Sequence, residues 1–318
     1  MLPPIALLFP GQGAQFVGMG RELRDASPAA AALFAQADAC LGRELTKIMW
    51  EGPKEELTRT ANCQPALYVH GLAALAALRE ALDGRAAEFD AATVGAAGLS
   101  LGELTAHASA GTFDFENGLK LVERRGELME EACRAVGGAM AALIGGDAPS
   151  ALALAEACGV EVANYNSPGQ YVLSGVVDGI KQAVAQAKDR GFRKAVTLDV
   201  AGAYHSRLME PARTRLAEAL AVTPMEAPLF PVIANFNAEA VRDPVTARDL
   251  LTKQVTGSVR WIESIERFSK DQGATLFLEL GPGAVLAGLV GRIVSGAEVI
   301  SVGDPASVAK AAERLLGA

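Results

Sequence analysis

The sequence predicts an α/β fold on a parallel sheet, interrupted near its middle by a compact α+β unit. Short continuous apolar runs at 5–9 (IALLF), 92–98 (ATVGAAG), 231–236 (PVIANF) and 275–281 (TLFLELG) have the length of strands covered on both faces. Segments with helical spacing separate several of them, which is the order of a parallel sheet with crossover helices. Between 136 and 202 the texture changes to shorter strands around two helices.

The first strand stops at Pro10 and gives way to the glycine-rich stretch GQGAQ. Helical patterns follow at 28–40, 54–60 and 65–83, and the run at 92–98 is small and apolar, as a strand packed on both faces requires. A long helix is expected at 114–135. From there the chain reads strand (AMAALIG), helix (SALALAEACG), strand (VEVANYN), strand (QYVLSG), helix (GIKQAVAQAKDRG), strand (KAVTLDV). This βαββαβ order is that of a ferredoxin-like unit. Residues 1–135 and 203–318 are therefore expected to form one core and 136–202 an insertion. The last helix expected between strands is ESIERFSKDQG at 263–273.

Composition narrows the function classes. Of 318 residues half are apolar and 21% charged, the profile of a globular chain with a large aliphatic core. A formal net charge of −8 argues against nucleic acid, whose phosphates require clustered Lys and Arg. Four cysteines lack CxxC spacing and three histidines form no metal-ligand pair, so neither a disulfide framework nor a metal site is expected. The N-terminal stretch has no basic region before its short apolar run, and no segment approaches membrane-spanning length. A cytoplasmic chain with no membrane partner is expected.

The most informative local pattern is GLSLG at 98–102. Set between a strand and a helix, G-x-S-x-G lifts its serine onto a sharp turn as a nucleophile; the alternative is a glycine-rich helix start. Ser100 as nucleophile would need a base, because a neutral hydroxyl attacks poorly. His205 follows a strand and a small-residue turn, whereas His70 and His107 sit inside helical patterns, so His205 is the candidate by elimination. In the helix 114–135, steps of three or four from Gly118 reach Val122, Arg125, Met129 and Cys133. Arg125 thus falls on an apolar face, where an unpaired guanidinium is costly. It needs a carboxylate elsewhere in the chain, a stem that reaches water, or a substrate anion suited to its planar fork.

Eight motifs in order, FPGQGAQ (9–15), QPAL (64–67), GLSLGE (98–103), RRGELM (124–129), NSPGQYVLSG (166–175), GAYHSRLM (202–209), QVTGSVRW (254–261) and ELGPGAVLAGL (279–289), resemble the malonyl-CoA:acyl carrier protein transacylases and the related acyltransferase domains of polyketide synthases. The resemblance implies a hydrolase-like core with the ferredoxin-like insertion. It implies that Ser100 takes the malonyl group from malonyl-CoA and yields it to the phosphopantetheine thiol of acyl carrier protein, with His205 moving the proton. It further implies an oxyanion hole from the backbone N–H groups of Gln12 and Leu101, and a His205 ring oriented by the Gln254 carbonyl. Arg125 would bind the free malonyl carboxylate, with Gln64 and Tyr204 lining the pocket. No cofactor is implied, and a monomer is expected. Two positions depart from the pattern: Leu99 stands where His or Gln is common, and Tyr204 where malonyl-selective domains often have Phe.

A thioesterase or other serine acyl hydrolase on the same scaffold is the competing reading; it would find little use for a carboxylate clamp. A carrier-docking module without catalysis is a third, and it would not need both Ser100 and His205. Since the partner is acidic, its docking requires local basic charge. Lys181, Lys188, Arg190, Arg193 and Lys194 are candidates, against the plainer alternative of a solvated face.

Overall fold

The computed structural model describes residues 2–317. Among them ten strands form two sheets: β1 (Ile5–Phe9), β2 (Thr93–Gly98), β3 (Ala139–Gly145), β4 (Glu161–Ser167), β5 (Gln170–Gly175), β6 (Phe192–Thr197), β7 (Val232–Ile233), β8 (Ala240–Val241), β9 (Leu276–Leu280) and β10 (Glu298–Val302). The larger sheet runs β10-β9-β1-β2-β7-β8 and is parallel except for β8. The smaller one, β4-β5-β3-β6, is antiparallel throughout.

The apolar run of β1 is continuous because both of its faces are covered. Ile5, Leu7 and Phe9 join one core and Ala6 and Leu8 another, on opposite sides of the sheet. Both β1 and β2 end at the same edge, where Leu99 N–H donates to the Phe9 carbonyl at 3.0 Å. The glycine-rich stretch after β1 and the turn after β2 are thereby neighbours, at the carboxyl edge where parallel sheets gather ligands.

In the smaller sheet alternation divides the labour. Ala141, Leu143 and Leu173 pack against the unit's own helices, Ala148–Cys158 and Val177–Gln186. Met140, Val172 and Ala163 join the large core instead. The edge strand β4 is stitched to the larger unit: Val259 N–H donates to the Ala163 carbonyl at 2.8 Å, Tyr165 N–H to the Val259 carbonyl at 3.0 Å, and Ser258 Oγ–H to the Val162 carbonyl at 2.6 Å.

Several expected elements shift. The helix expected from 65 begins at Thr60 and carries Pro65 within it. Proline leaves the Ala61 carbonyl without its helical donor, and Arg43 Nη2–H donates there at 3.4 Å. PVIANF contributes only Val232–Ile233 as strand, because Asn235 turns toward the end of β2. The helix expected at 179–191 spans Val177–Gln186. β10 escapes the search for apolar runs since it is an edge strand with Glu298 exposed.

Candidate active site

Ser100 sits between β2 and the helix Leu101–Ser109 with φ 56° and ψ −107°. Such backbone is strained for a side-chain-bearing residue. The two flanking glycines have a direct steric cause. A Cβ on Gly98 would lie 1.9 Å from the Gly102 carbonyl carbon, and one on Gly102 would lie 2.1 Å from the Phe9 oxygen. Strand, turn and helix approach too closely for any other residue.

Ser100 is held from both sides. Its N–H donates to Asn235 Oδ1 at 2.8 Å, and its carbonyl accepts from Gln254 Nε2 at 2.8 Å. Asn235 Nδ2–H in turn donates to the Gly98 carbonyl at 2.8 Å. These bonds over-determine a conformation the backbone alone would leave.

His205 Nε2 lies 2.7 Å from Ser100 Oγ. Its Nδ1 faces the Gln254 carbonyl at 2.9 Å and the Gly257 carbonyl at 3.1 Å. Carbonyls only accept, so Nδ1 carries the proton and Nε2 is the acceptor for Ser100 Oγ–H. His205 also has positive φ, 57°. Burial first, and then the nearby Arg125 cation, push its pKa down to about 4, while the two carbonyls oppose this. The imidazole is therefore neutral at pH 7 and free to take a proton.

Arg125, on the helix Phe115–Ala135, is only 1% exposed, so the stem does not reach water. Nor does it have a carboxylate: among the described residues it joins no ion pair. Nη1–H donates to Gln64 Oε1 at 2.5 Å, and Nη2–H donates to Gln254 Oε1 at 3.0 Å and to Ser100 Oγ at 3.1 Å. Nε has no partner. Burial lowers its pKa to about 10, with Glu103 and Tyr204 opposing, and the group stays charged at pH 7. A buried cation bonded only to neutral oxygens, beside a hydroxyl and facing a cavity, is a site for an anion.

That cavity, of about 210 Å³, is lined by Gln12, Gln64, Ser100, Leu101, Arg125 and His205 together with Leu99, Met129 and Tyr204. Asn164, Val172 and Leu198 come from the smaller unit. Leu101 is the first residue of its helix, so its N–H lacks an intrahelical acceptor. The N–H of Gln12, in the turn after β1, likewise has no acceptor among the described residues. Tyr204 turns its hydroxyl to Thr60 Oγ1 at 2.5 Å, and Thr60 Oγ1–H donates to Gln12 Oε1 at 3.5 Å. Burial raises the Tyr204 pKa, so the phenol stays neutral.

Of the eight site residues named from the sequence, seven line this cavity, and Gln254 stands behind it against His205 and Arg125. Sequence reasoning missed Asn235, Thr60 and Glu103. Glu103 is wholly buried, and its Oε2 accepts from Asn235 N–H at 3.0 Å and Gln254 Nε2 at 2.7 Å. A charged residue in the apolar pattern of the helix Leu101–Ser109 was the available signal. His70 and His107 are packed in the core. Among the described residues no group of three or more His, Cys, Asp or Glu side chains is arranged to hold a metal, and no helix is long and apolar enough to cross a membrane.

Known proteins resemble the chain over nearly its whole length. The model of the acyl transferase domain family matches residues 6–309. The malonyl CoA-acyl carrier protein transacylase of Bacillus subtilis is 40% identical over 316 residues, covering 98% of this chain and 97% of that one. The crystal structure of an acyl-carrier-protein S-malonyltransferase from Bartonella henselae superposes with a TM-score of 0.92 at 38% identity, covering 99% of each chain. A type II PKS acyl-carrier protein in complex with its malonyl-transacylase provides another, with a TM-score of 0.90 at 36% identity, covering 98% of this chain and 99% of that one. Matched over nearly its whole length by this family model and by relatives so named, the chain belongs to the acyl transferase domain family, among its malonyl CoA-acyl carrier protein transacylases.

Proposed function

We propose that the chain transfers a malonyl group from malonyl-CoA to the phosphopantetheine thiol of acyl carrier protein through a malonyl ester on Ser100. The observation that carries this reading is the Arg125 guanidinium, buried without a carboxylate and 3.1 Å from Ser100 Oγ. A plain acyl hydrolase has no use for a cation there, whereas a malonyl half-thioester brings the missing anion.

In the first half-reaction Ser100 Oγ attacks the thioester carbonyl while its proton passes to His205 Nε2. The oxyanion that forms is held by the free N–H groups of Gln12 and Leu101. Its collapse breaks the C–S bond, and the departing CoA sulfur takes the proton from His205. In the second half the carrier thiol gives its proton to His205 and attacks the ester, and Ser100 Oγ leaves with that proton. The Gln254 carbonyl keeps the imidazole in the tautomer this requires, so no acidic side chain is needed behind the ring. Gln64 holds Arg125 in place, and Tyr204 walls the pocket.

We further propose that residues 1–135 and 203–318 form a hydrolase-like core and 136–202 a ferredoxin-like insertion. The support is the strand-turn-helix setting of Ser100 and the order β4-β5-β3-β6 of the inserted strands. Lys181, Lys188, Arg190, Arg193 and Lys194 are all exposed, and Arg193 shares a surface cleft with Arg292. This basic surface suits an acidic carrier. The protein needs no cofactor in this scheme and works in the cytoplasm.

Intact-protein mass spectrometry after brief mixing with malonyl-CoA tests the reading. A malonyl adduct is expected, absent from Ser100→Ala and discharged on adding carrier protein with malonyl appearing on the carrier. An adduct that water clears as fast as carrier protein does would make the chain a hydrolase.

A further inference from the structure

The Gln254 side chain has a direction. Its Nε2 faces three oxygens: the Ser100 carbonyl at 2.8 Å, Glu103 Oε2 at 2.7 Å and Asn235 Oδ1 at 3.4 Å. Its Oε1 faces Arg125 Nη2 at 3.0 Å. Rotated by half a turn, the amide would set oxygen against oxygens and its N–H groups against a guanidinium, so only one orientation is satisfied. The shortest of the restraining bonds comes from Glu103.

Glu103 does not line the cavity, and no step of acyl transfer described above uses it. It is nevertheless wholly buried, and its Oε2 is fixed in place by the Asn235 N–H at 3.0 Å. Its Oε1 has no partner among the described residues. A buried carboxyl with one idle oxygen and one oxygen shared between two donors is expensive to keep, and those two donors belong to the residues that grip Ser100. Without this acceptor the Gln254 amide nitrogen keeps only the Ser100 carbonyl and the longer contact to Asn235, and its hold on the Arg125 side is loosened. A misplaced Gln254 amide weakens one of the three side-chain contacts of the Arg125 fork, with Gln64 and Ser100 the others, and two-point recognition of a carboxylate tolerates little misplacement.

We propose that Glu103 is a positioning residue for acyl selectivity: by fixing the Gln254 amide with its oxygen toward Arg125, it keeps the guanidinium aimed at the acyl cavity and so favours substrates ending in a carboxylate. The inference rests on reading Arg125 as the carboxylate clamp, and the test separates the two.

The measurement is the initial rate of Ser100 acylation of the full chain by malonyl-CoA and by acetyl-CoA, followed by intact-protein mass spectrometry. Glu103→Met, of similar shape but with no oxygen acceptor, is expected to lower the malonyl-to-acetyl rate ratio about 10-fold or more. Glu103→Gln retains an acceptor oxygen and is expected to keep the ratio within about 3-fold of the native value. Gln254→Ala, which spares the main-chain carbonyl behind His205, should lower the ratio as Glu103→Met does. Combined with Arg125→Ala, Glu103→Met should lower it no further than Arg125→Ala alone.

A folded Glu103→Met with the native ratio overturns the proposal, as does a Glu103→Gln as impaired as Glu103→Met. If Glu103→Met does not fold, Gln254→Ala decides, and a native ratio there is equally fatal. An unchanged ratio in Arg125→Ala overturns the clamp itself and the proposal with it. A collapse in Arg125→Ala with native ratios in both Glu103→Met and Gln254→Ala removes only the role of Glu103.

Discussion

The two sheet units differ most in where they bury polar groups. The larger one takes Glu103, Arg125, His205, Asn235 and Gln254 into its interior and links them through one another, leaving Glu103 Oε1 and Arg125 Nε without a partner among the described residues. In the smaller one, among the described residues of 136–202, the buried polar side chains are Asn164, Ser167 and Ser174, and no charged side chain is buried. Its β6 edge is largely exposed and carries Arg193 and Lys194. The larger unit thus gathers the buried polar groups around Ser100, and the smaller supplies a cavity wall and a charged exterior. On the function proposed above, the difference teaches that chemistry and carrier docking should be separable by mutation.

The sharpest break is expected at the elbow. Gly102→Ala would press a methyl group against the Phe9 carbonyl, 2.1 Å away, and force β1 and the helix Leu101–Ser109 apart. Acylation of Ser100 should fall about 100-fold or more, since displacements near 1 Å at a reacting centre carry that cost. A folded Gly102→Ala variant, verified by circular dichroism, with native acylation would show that the frame is softer than described.

The next effect is one of acid stability, and it belongs to the larger unit. Burial lowers the His70 pKa from 6.5 to about 4. The unfolded chain therefore accepts a proton that the folded chain refuses, so this contribution is full above about pH 6.5 and is lost as pH falls toward 4. Between pH 7.5 and pH 5 the native protein should lose about 2 kcal/mol more than His70→Leu does. Urea unfolding at the two pH values measures it, and equal losses would remove His70 as a source.

The smallest effect is expected on the exterior of the smaller unit. Reversing the charge of Lys188, Arg190, Arg193 and Lys194 should raise the apparent KM for carrier protein several-fold, roughly 3 to 10, because rim charges act mainly on encounter. Acylation by malonyl-CoA should not change. Equal loss of both would show that the two units are not separable in this way.

What the sequence disclosed follows from the range of the interactions involved. Gly98 was legible because its clash is local, with Gly102 in the same turn, and Gly102 because the G-x-S-x-G spacing marks it although its own clash is with Phe9 on β1. β1 was legible because a strand buried on both faces needs no partner to look apolar. Arg125 stood out as a charge on an apolar helix face, yet its fate rested on Gln64 and Gln254, which are 61 and 129 residues away. His205 was reached by the strand and small-residue turn before it, by excluding the helical histidines and by the motif around it, since the carbonyls that hold its ring leave no side-chain signature. Asn235 and Glu103 were missed for the same reason: the bond between them spans 132 residues. Pro65 misled because the carbonyl it frees is taken by Arg43 from outside the helix.

The stitch between β4 and Val259 limits how such enzymes can be rebuilt. Two residues before Val259, the Gly257 carbonyl touches the His205 ring, so the seam joining the halves doubles as a support for that imidazole. A chimera that borrows its accessory half from another enzyme to change carrier choice must bring a matching seam. Otherwise the transplant would tilt the imidazole and silence an otherwise intact serine.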